Sequence, residues 1–88
     1  MPYITHDERT RLDAVTGAID AAITDKTSAG ELNYLVSHLA KAFIAAKGMR
    51  YEHLNAAVGA LESAKAEFQR RVVAPYEDKK IAENGDVY

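Results

Sequence analysis

The sequence predicts an all-α protein: a small bundle of three main helices with short terminal helices, which self-associates. Large apolar residues recur at spacings of three and four along three separate segments. No run of four or more residues alternates apolar and polar side chains, as a half-buried strand would. The breakers Gly30, Gly48, Pro75 and Gly85 lie at the ends of the periodic segments. We therefore expect one helical domain over residues 1–88.

The first helix is predicted to begin at about His6. Thr5 and Glu8 have the spacing of a capping box, in which each side chain accepts a hydrogen bond from the backbone of the other residue. The helix should end near Thr24. Asp13 is also a suitable cap, which leaves open a kink near its position. The apolar face predicted for this helix consists of Leu12, Val15, Ile19, Ala22 and Ile23.

The second helix shows the clearest boundaries in the chain. Ser28 and Glu31 form another capping box, so the helix is expected to open at about Gly30. Gly48 follows Lys47 and suits a left-handed C-terminal cap, with the cation near the negative end of the helix dipole. Its apolar stripe consists of Leu32, Leu35, Val36, Leu39, Phe43 and Ala46.

A third helix is expected to begin at Tyr51 or Glu52. Its apolar positions alternate in fours and threes, which produces a heptad-like seam made of Leu54, Val58, Leu61, Lys65, Phe68 and Val72. Pro75 lacks a backbone N–H and restricts Ala74, so this helix should bend or end at Val73 or Ala74. A short helix over residues 76–83 follows, with Asn84 and Gly85 as its stop.

Composition excludes several classes of site. Hydrophobic residues make up 48% of the chain, but 16 of them are Ala and 5 are Tyr. The core must therefore come from the 21 Leu, Ile, Val, Phe and Met residues, and burial in an oligomer would enlarge that small core. The lack of cysteine excludes disulfides, thiolate metal sites and thiol nucleophiles. A net charge of −2 argues against extended nucleic-acid binding and against an anionic membrane. No membrane span or signal-peptide pattern is present, so we expect a cytoplasmic protein.

The sequence lacks the groups that usually form a catalytic or metal site. His6, His38 and His53 lie in different segments without a paired-ligand spacing, so we expect no metal and no cofactor. The serines lie outside any Gly-x-Ser-x-Gly turn. Glu62 and Glu67 precede cations by three or four residues, which is the spacing of helix-surface ion pairs. The sequence therefore predicts that the protein is not an enzyme.

A stripe of small residues stands out on the third helix. Ala56, Ala60 and Ala64 recur every four residues, and Gly59 lies beside them although glycine costs about 1 kcal/mol in a helix interior. Small residues permit close approach of another backbone. Both a tight crossing within the chain and a contact between subunits remain open.

Two groups of residues are candidates for ligand binding. Asn33 and Tyr34 are polar residues that we place in the first turn of the second helix, where free amides favour anions, although Tyr34 would also suit the edge of a core. The second group surrounds the predicted bend at Pro75, where an anionic, partly aromatic ligand would find both charge and a ring; the alternative is a solvated surface packed at the tyrosine. This C-terminal cluster consists of Arg70, Arg71, Tyr76, Lys79 and Lys80.

Longer motifs carry a resemblance to a family. The chain opens with Met-Pro-Tyr-Ile, has Gly-Glu-Leu-Asn-Tyr at residues 30–34, and continues from residue 70 as Arg-Arg-Val-Val-Ala-Pro-Tyr-Glu-Asp-Lys-Lys-Ile, ending in Asn-Gly-Asp-Val-Tyr. Over its whole length it resembles a small uncharacterised family of bacterial and phage proteins. The resemblance implies no activity, substrate or catalytic residue. Its phage setting implies a stoichiometric binder, such as a sponge for a nucleotide signal or an inhibitor of a host protein.

Two functions follow as hypotheses. The first is sequestration of a small anionic ligand, such as a nucleotide, at the interface of a homo-oligomer, with the cations holding phosphates and Tyr76 or Tyr34 stacking on a base. The second is a protein-interaction module, an inhibitor or adaptor that docks a host or phage protein through its C-terminal segment. An enzyme ranks third.

Overall fold

The computed structural model describes residues 4–88 and is helical almost throughout, with no strand in that range. Helix α1 covers His6–Ala22, α2 covers Ala29–Lys47 and α3 covers Tyr51–Phe68. A π-helical segment, Gln69–Val73, joins α3 directly to α4 at Ala74–Asn84. The all-α class with three main helices is therefore confirmed.

Both capping boxes form as the sequence predicts. At the start of α1, the Glu8 N–H donates to Thr5 Oγ1 at 3.1 Å, and the Thr5 N–H donates to Glu8 Oε1 at 2.7 Å. At the start of α2, the Glu31 N–H donates to Ser28 Oγ at 3.1 Å, while the Ser28 N–H donates to Glu31 Oε1 at 2.8 Å. Helix α1 is continuous from His6 to Ala22, so Asp13 does not cap a second segment.

Acid is expected to destabilise the starts of α1 and α2. Backbone hydrogen bonds from Thr5 and Ser28 lower the pKa of Glu8 and Glu31 below the usual 4.5. The unfolded chain then binds these protons more tightly, so the stabilisation is complete above pH 4.5 and is lost as pH falls through the lowered pKa. Thermal unfolding followed by circular dichroism along a pH series should show this loss.

The matched comparison replaces the two capping carboxylates. A protein with Glu8→Gln and Glu31→Gln keeps acceptors for the same backbone donors but cannot titrate there, so its stability should depend less on pH in the acid range. Glu62→Gln is the control, because Glu62 only approaches Lys65 at 4.0 Å. Identical acid profiles for wild type and the double variant would contradict the prediction.

Glycine ends two of the helices. Gly48, with φ of 106°, follows α2 and its N–H donates to the Ile44 carbonyl at 2.7 Å. Gly85, with φ of 88°, follows α4 and its N–H donates to the Ile81 carbonyl at 2.8 Å. These left-handed conformations favour glycine because a Cβ would be strained there. Both predicted stops are confirmed.

The sequence predicted that the helix bends or ends at Val73 or Ala74, and the predicted end is wrong. Val73 and Ala74 keep right-handed helical dihedrals of −70°, −49° and −62°, −45°, so the chain does not leave the helix there. It widens instead, and the Ala74 N–H donates to the Gln69 carbonyl five residues back. A proline ring clashes with the carbonyl four residues earlier and offers that carbonyl no donor. The wider π turn accommodates both consequences without ending the helix.

No side chain among residues 4–88 is buried. The chain divides into two compact units, Met1–Ser37 and His38–Tyr88, with the boundary inside α2. Even the residues that sequence periodicity assigned to apolar faces are half-exposed or exposed, including Leu39, Val58 and Phe68. Neither unit by itself therefore encloses a hydrophobic core.

Candidate functional site

The C-terminal cluster begins in the π segment, where two arginines share one carboxylate. Arg70 Nη2 and Arg71 Nε each lie 3.1 Å from Glu67 Oε2, with Glu67 one turn earlier on α3. The hydrogen bond from Arg70 holds the pKa of Glu67 below its usual 4.5, and partial desolvation opposes that shift. The paired guanidinium groups expected from the sequence thus lie together, but around a carboxylate of their own helix.

Tyr76 and Lys80 form the second part of the cluster, on α4. The Lys80 ammonium lies over the Tyr76 ring, 5.4 Å from its centre, and also lies 3.2 Å from Glu83 Oε2. The ring is 58% exposed, so it is not packed into the protein. Lys79 makes no ion pair with any residue in 4–88. Of the four cations that the sequence assigned to a ligand, three are therefore already paired on their own helix.

Changing Pro75 should alter this cluster. Pro75→Ala supplies an N–H to the Arg71 carbonyl, which allows ordinary α-helical hydrogen bonds from α3 into α4. We expect thermal stability to rise, by at most the roughly 3 kcal/mol that separates proline from alanine inside a helix. Backbone chemical shifts of residues 69–74 should move towards α-helical hydrogen bonding. Glu77→Ala, which leaves the donor pattern alone, is the control.

If the π turn persists in Pro75→Ala, the proline is not its cause. The widening would then be set by the side chains around it.

Asn33 and Tyr34 are the fifth and sixth residues of α2, which begins at Ala29, one residue before the predicted start. Two early amides of the helix are engaged by Ser28, because the Glu31 N–H donates to its Oγ and the Leu32 N–H donates to its carbonyl. Asn33 Oδ1 accepts from Ser37 Oγ at 3.1 Å. Tyr34 is 72% exposed and does not pad a core edge. Both residues belong to the first unit, whereas the C-terminal cluster belongs to the second.

The second unit also contains an apolar groove between the end of α2 and the start of α3. The groove is open to solvent and has a volume of about 510 Å³. Small side chains at Ala40, Ala45 and Ala57 alternate with larger ones, and Lys41 is the one charged residue that lines it. The larger residues that line it are Ile44, Met49, Leu54, Val58 and Leu61.

A short connection positions the two walls of this groove. The Arg50 N–H donates to the Gly48 carbonyl at 3.0 Å, and the His53 Nδ1 donates to the same carbonyl at 3.0 Å. The Leu54 N–H closes the first turn of α3 on the Arg50 carbonyl at 2.9 Å. His53 therefore has a structural role at the turn.

The groove was missed when the sequence was considered alone. Its signal was nevertheless present in α2: between Leu39 and Ala46 the only charged residue is Lys41. Eight residues span more than two helical turns, so every side of that stretch is apolar. A helix that is apolar all round needs cover on all sides.

No helix of the second unit crosses the stripe of small residues. A Cβ added at Gly59 would meet nothing within 4 Å. Ala56, Ala60 and Ala64 are exposed. Both alternatives for the stripe, a tight crossing within the chain and a contact between subunits, stay predictions.

Among residues 4–88, no group of three or more histidine or acidic residues is arranged to hold a metal ion. No helix in that part of the chain is long and apolar enough to cross a membrane.

Comparison with known proteins identifies one family. The family described as Domain of unknown function (DUF6899) matches residues 1–87. No curated protein and no solved structure matches the chain. The match supports the resemblance to an uncharacterised family. Residues 1–3, which open the first motif, lie outside the described part of the structure.

Proposed function

The chain belongs to the domain family DUF6899, and we propose that it is a non-enzymatic helical interaction protein that works as a homo-oligomer. The observation that carries this proposal is the absence of any buried side chain in residues 4–88. Continuous exposed apolar surface of this kind marks an interaction site. A partner chain would supply the core that one chain does not enclose.

Helix α2 gives the strongest support. Its groove side carries Ala40 and Ile44, while Leu32, Val36, Leu39 and Phe43 follow a different side and are all exposed. Burial on one side alone would leave the other in water, at a cost of about 25 cal/mol for each Å² of apolar surface. Association that covers both sides makes α2 the central helix of an intermolecular bundle. The three-helix bundle expected from the sequence is then completed between chains.

The proposed role is stoichiometric binding. The described residues offer no cluster of metal ligands, and the apolar groove has few polar groups with which to orient a substrate. The resemblance to small bacterial and phage proteins agrees with a binder that works by occupying its target. Fold-level likeness alone does not name that target.

The mass of the protein in solution tests the proposal. Size-exclusion chromatography with light scattering, and native mass spectrometry, should each give the mass of two or more chains. The same sample should show a helical circular dichroism spectrum. A monomeric mass together with full helicity would overturn the proposal, because apolar faces would then remain in water without a partner.

Sequestration of an anionic ligand is the second candidate, and the Tyr76 ring beneath Lys80 favours it. An exposed ring beside several cations can stack on a base while the cations contact phosphate. The ion pairs of Arg70 and Arg71 are exposed and therefore weak, so a phosphate is able to replace Glu67 as their partner. Lys79 is available without any such exchange.

A nucleotide panel in a thermal-shift assay checks this candidate. A true site should stabilise the protein by about 2.7 kcal/mol when the nucleotide is present at 100 times its Kd. Changing all four cations of the cluster to Gln should remove the shift with little effect on folding, since the pairs are exposed. Lys47→Gln, at the end of α2, is the control for removing a cation outside the cluster.

Two substitutions of Tyr76 distinguish stacking by its ring from hydrogen bonding by its hydroxyl. Tyr76→Ala should abolish the nucleotide shift, whereas Tyr76→Phe should preserve it if the ring stacks on a base. An unchanged shift after loss of all four cations would defeat the anionic-ligand hypothesis and leave the cluster as a solvated surface.

A further inference from the structure

We infer that Asn84 and Gly85, at the end of α4, form a site of spontaneous covalent modification in which the asparagine loses its side-chain amide. The backbone nitrogen of Gly85 attacks Cγ of Asn84 and forms a new N–C bond. The side-chain nitrogen leaves as ammonia, carrying the proton that the Gly85 nitrogen gives up. A water molecule then opens the resulting succinimide ring at either carbonyl, which leaves aspartate or isoaspartate in place of asparagine.

Gly85 is the residue that allows this attack. It has no Cβ beside the attacking nitrogen, and its φ of 88° lies in a region that glycine adopts freely. Where a Cβ would stand, no atom beyond the neighbouring residues lies within 4 Å, so the ring has room to form. Asn84 and Gly85 are both exposed, so water reaches the ring.

One hydrogen bond holds the attacking nitrogen back. The Gly85 N–H donates to the Ile81 carbonyl at 2.8 Å, along the helix, whereas side chains project outwards from it. Attack therefore requires this bond to open. The last turn of a helix frays most readily, and among the described elements of its unit α4 contacts only the π segment before it. Fraying at the end of α4 thus controls the rate of the reaction.

The other two asparagines of the chain lack this combination. Asn33 lies within α2 and Asn55 within α3, and each is followed by a residue that has a Cβ. The side chain of Asn33 is also engaged, because its Oδ1 accepts from Ser37 Oγ at 3.1 Å. These two positions serve as controls inside the same molecule.

The modification should unwind the end of α4. Either product places a carboxylate where the helix dipole is negative, and the last turn contains no basic residue to compensate for it. Glu83 and Asp86 lie close in sequence and add like charge. Isoaspartate also lengthens the main chain, which displaces the donor to the Ile81 carbonyl. The ion pair between Lys80 and Glu83, now 3.2 Å, would lose the helical spacing that supports it.

Peptide mapping by mass spectrometry, during incubation of the full chain at neutral pH, tests this inference. The peptide that contains Asn84 should gain the mass difference between an amide and a carboxylic acid and should separate into aspartate and isoaspartate forms. Modification there should be at least about tenfold faster than at Asn33 or Asn55, because helix ends open far more often than helix interiors. Equal rates at the three asparagines would overturn the inference.

Two alanine-to-glycine variants test the control by the helix end. Ala82→Gly weakens the last turn of α4 and should raise the rate at Asn84 about fivefold, the factor that corresponds to the helix propensities of the two residues. Ala66→Gly, on α3, is the matched control and should leave that rate unchanged. The same chain unfolded in urea should react faster than either. If the rate at Asn84 stays the same in Ala82→Gly and in urea, the hydrogen bond to Ile81 does not restrain the reaction.

Asn84→Gln tests the consequence for α4. The longer side chain does not readily form the ring, so this variant should keep its helicity by circular dichroism over an incubation in which wild type loses part of it. Asn84→Asp introduces the charge at once and should lower helicity from the start. Wild type that becomes fully modified without losing more helicity than Asn84→Gln would overturn the unwinding. The reaction takes place within one chain, so its outcome is independent of the proposed homo-oligomer.

Discussion

Dilution is expected to unfold this protein. No side chain of residues 4–88 is buried, and in the homo-oligomer that we propose, the apolar surface that stabilises the fold becomes covered on association. Folding and assembly are then one equilibrium, and the stability of the folded state depends on the concentration of the chain. For a dimer, each tenfold dilution lowers the free energy of unfolding by about 1.4 kcal/mol.

The measurement is helicity by circular dichroism during heating, repeated over a range of concentrations. A thousandfold dilution should lower the free energy of unfolding by about 4 kcal/mol, and the thermal midpoint should fall steadily over that range. A chemically cross-linked sample is the control, because its association no longer depends on concentration. A midpoint that stays constant in both samples would show that one chain folds without a partner.

Truncating Phe43 is expected to have the largest effect of any single apolar substitution on α2. Phe43 shares the exposed side of the helix with Leu32, Val36 and Leu39. If association covers that side, Phe43→Ala leaves a cavity in a core, and phenylalanine-to-alanine changes in cores cost about 3–5 kcal/mol. That loss is comparable with the whole stability of many small domains.

Tyr34→Ala is the matched aromatic truncation on the same helix. Tyr34 is 72% exposed and lies on a different side of α2 from Phe43. Its removal should change stability by at most about 0.5 kcal/mol, as is usual for surface positions. Chemical denaturation at a fixed protein concentration compares the two variants. Equal and small effects would mean that the Phe43 side of α2 stays in water.

The candidate site divides into a part that sequence spacing predicted and a part that it did not. Arg70 and Arg71 follow Glu67 by three and four residues, and the structure pairs both with it, because such spacings bring side chains together on any helix. The apolar stretch at the end of α2 indicates a surface that needs cover, but spacing within one helix does not locate the groove between α2 and α3, since residues from Ala40 to Leu61 must meet across a turn. Its existence depends on the angle at which the chain leaves Gly48.

By itself the sequence determined where α1, α2 and α3 begin and where α2 and α4 end. Thr5 with Glu8, Ser28 with Glu31, and Gly48 act within three or four residues of a helix end, so their chemistry operates before any distant contact forms. Proline at position 75 likewise implies a local disturbance, but spacing alone did not show that a wider π turn would absorb it. Only the tertiary structure decided that Leu39, Val58 and Phe68 stay uncovered within their own unit. Burial depends on atoms far apart in sequence, and helical periodicity says which side of a helix is apolar but not which surface covers it.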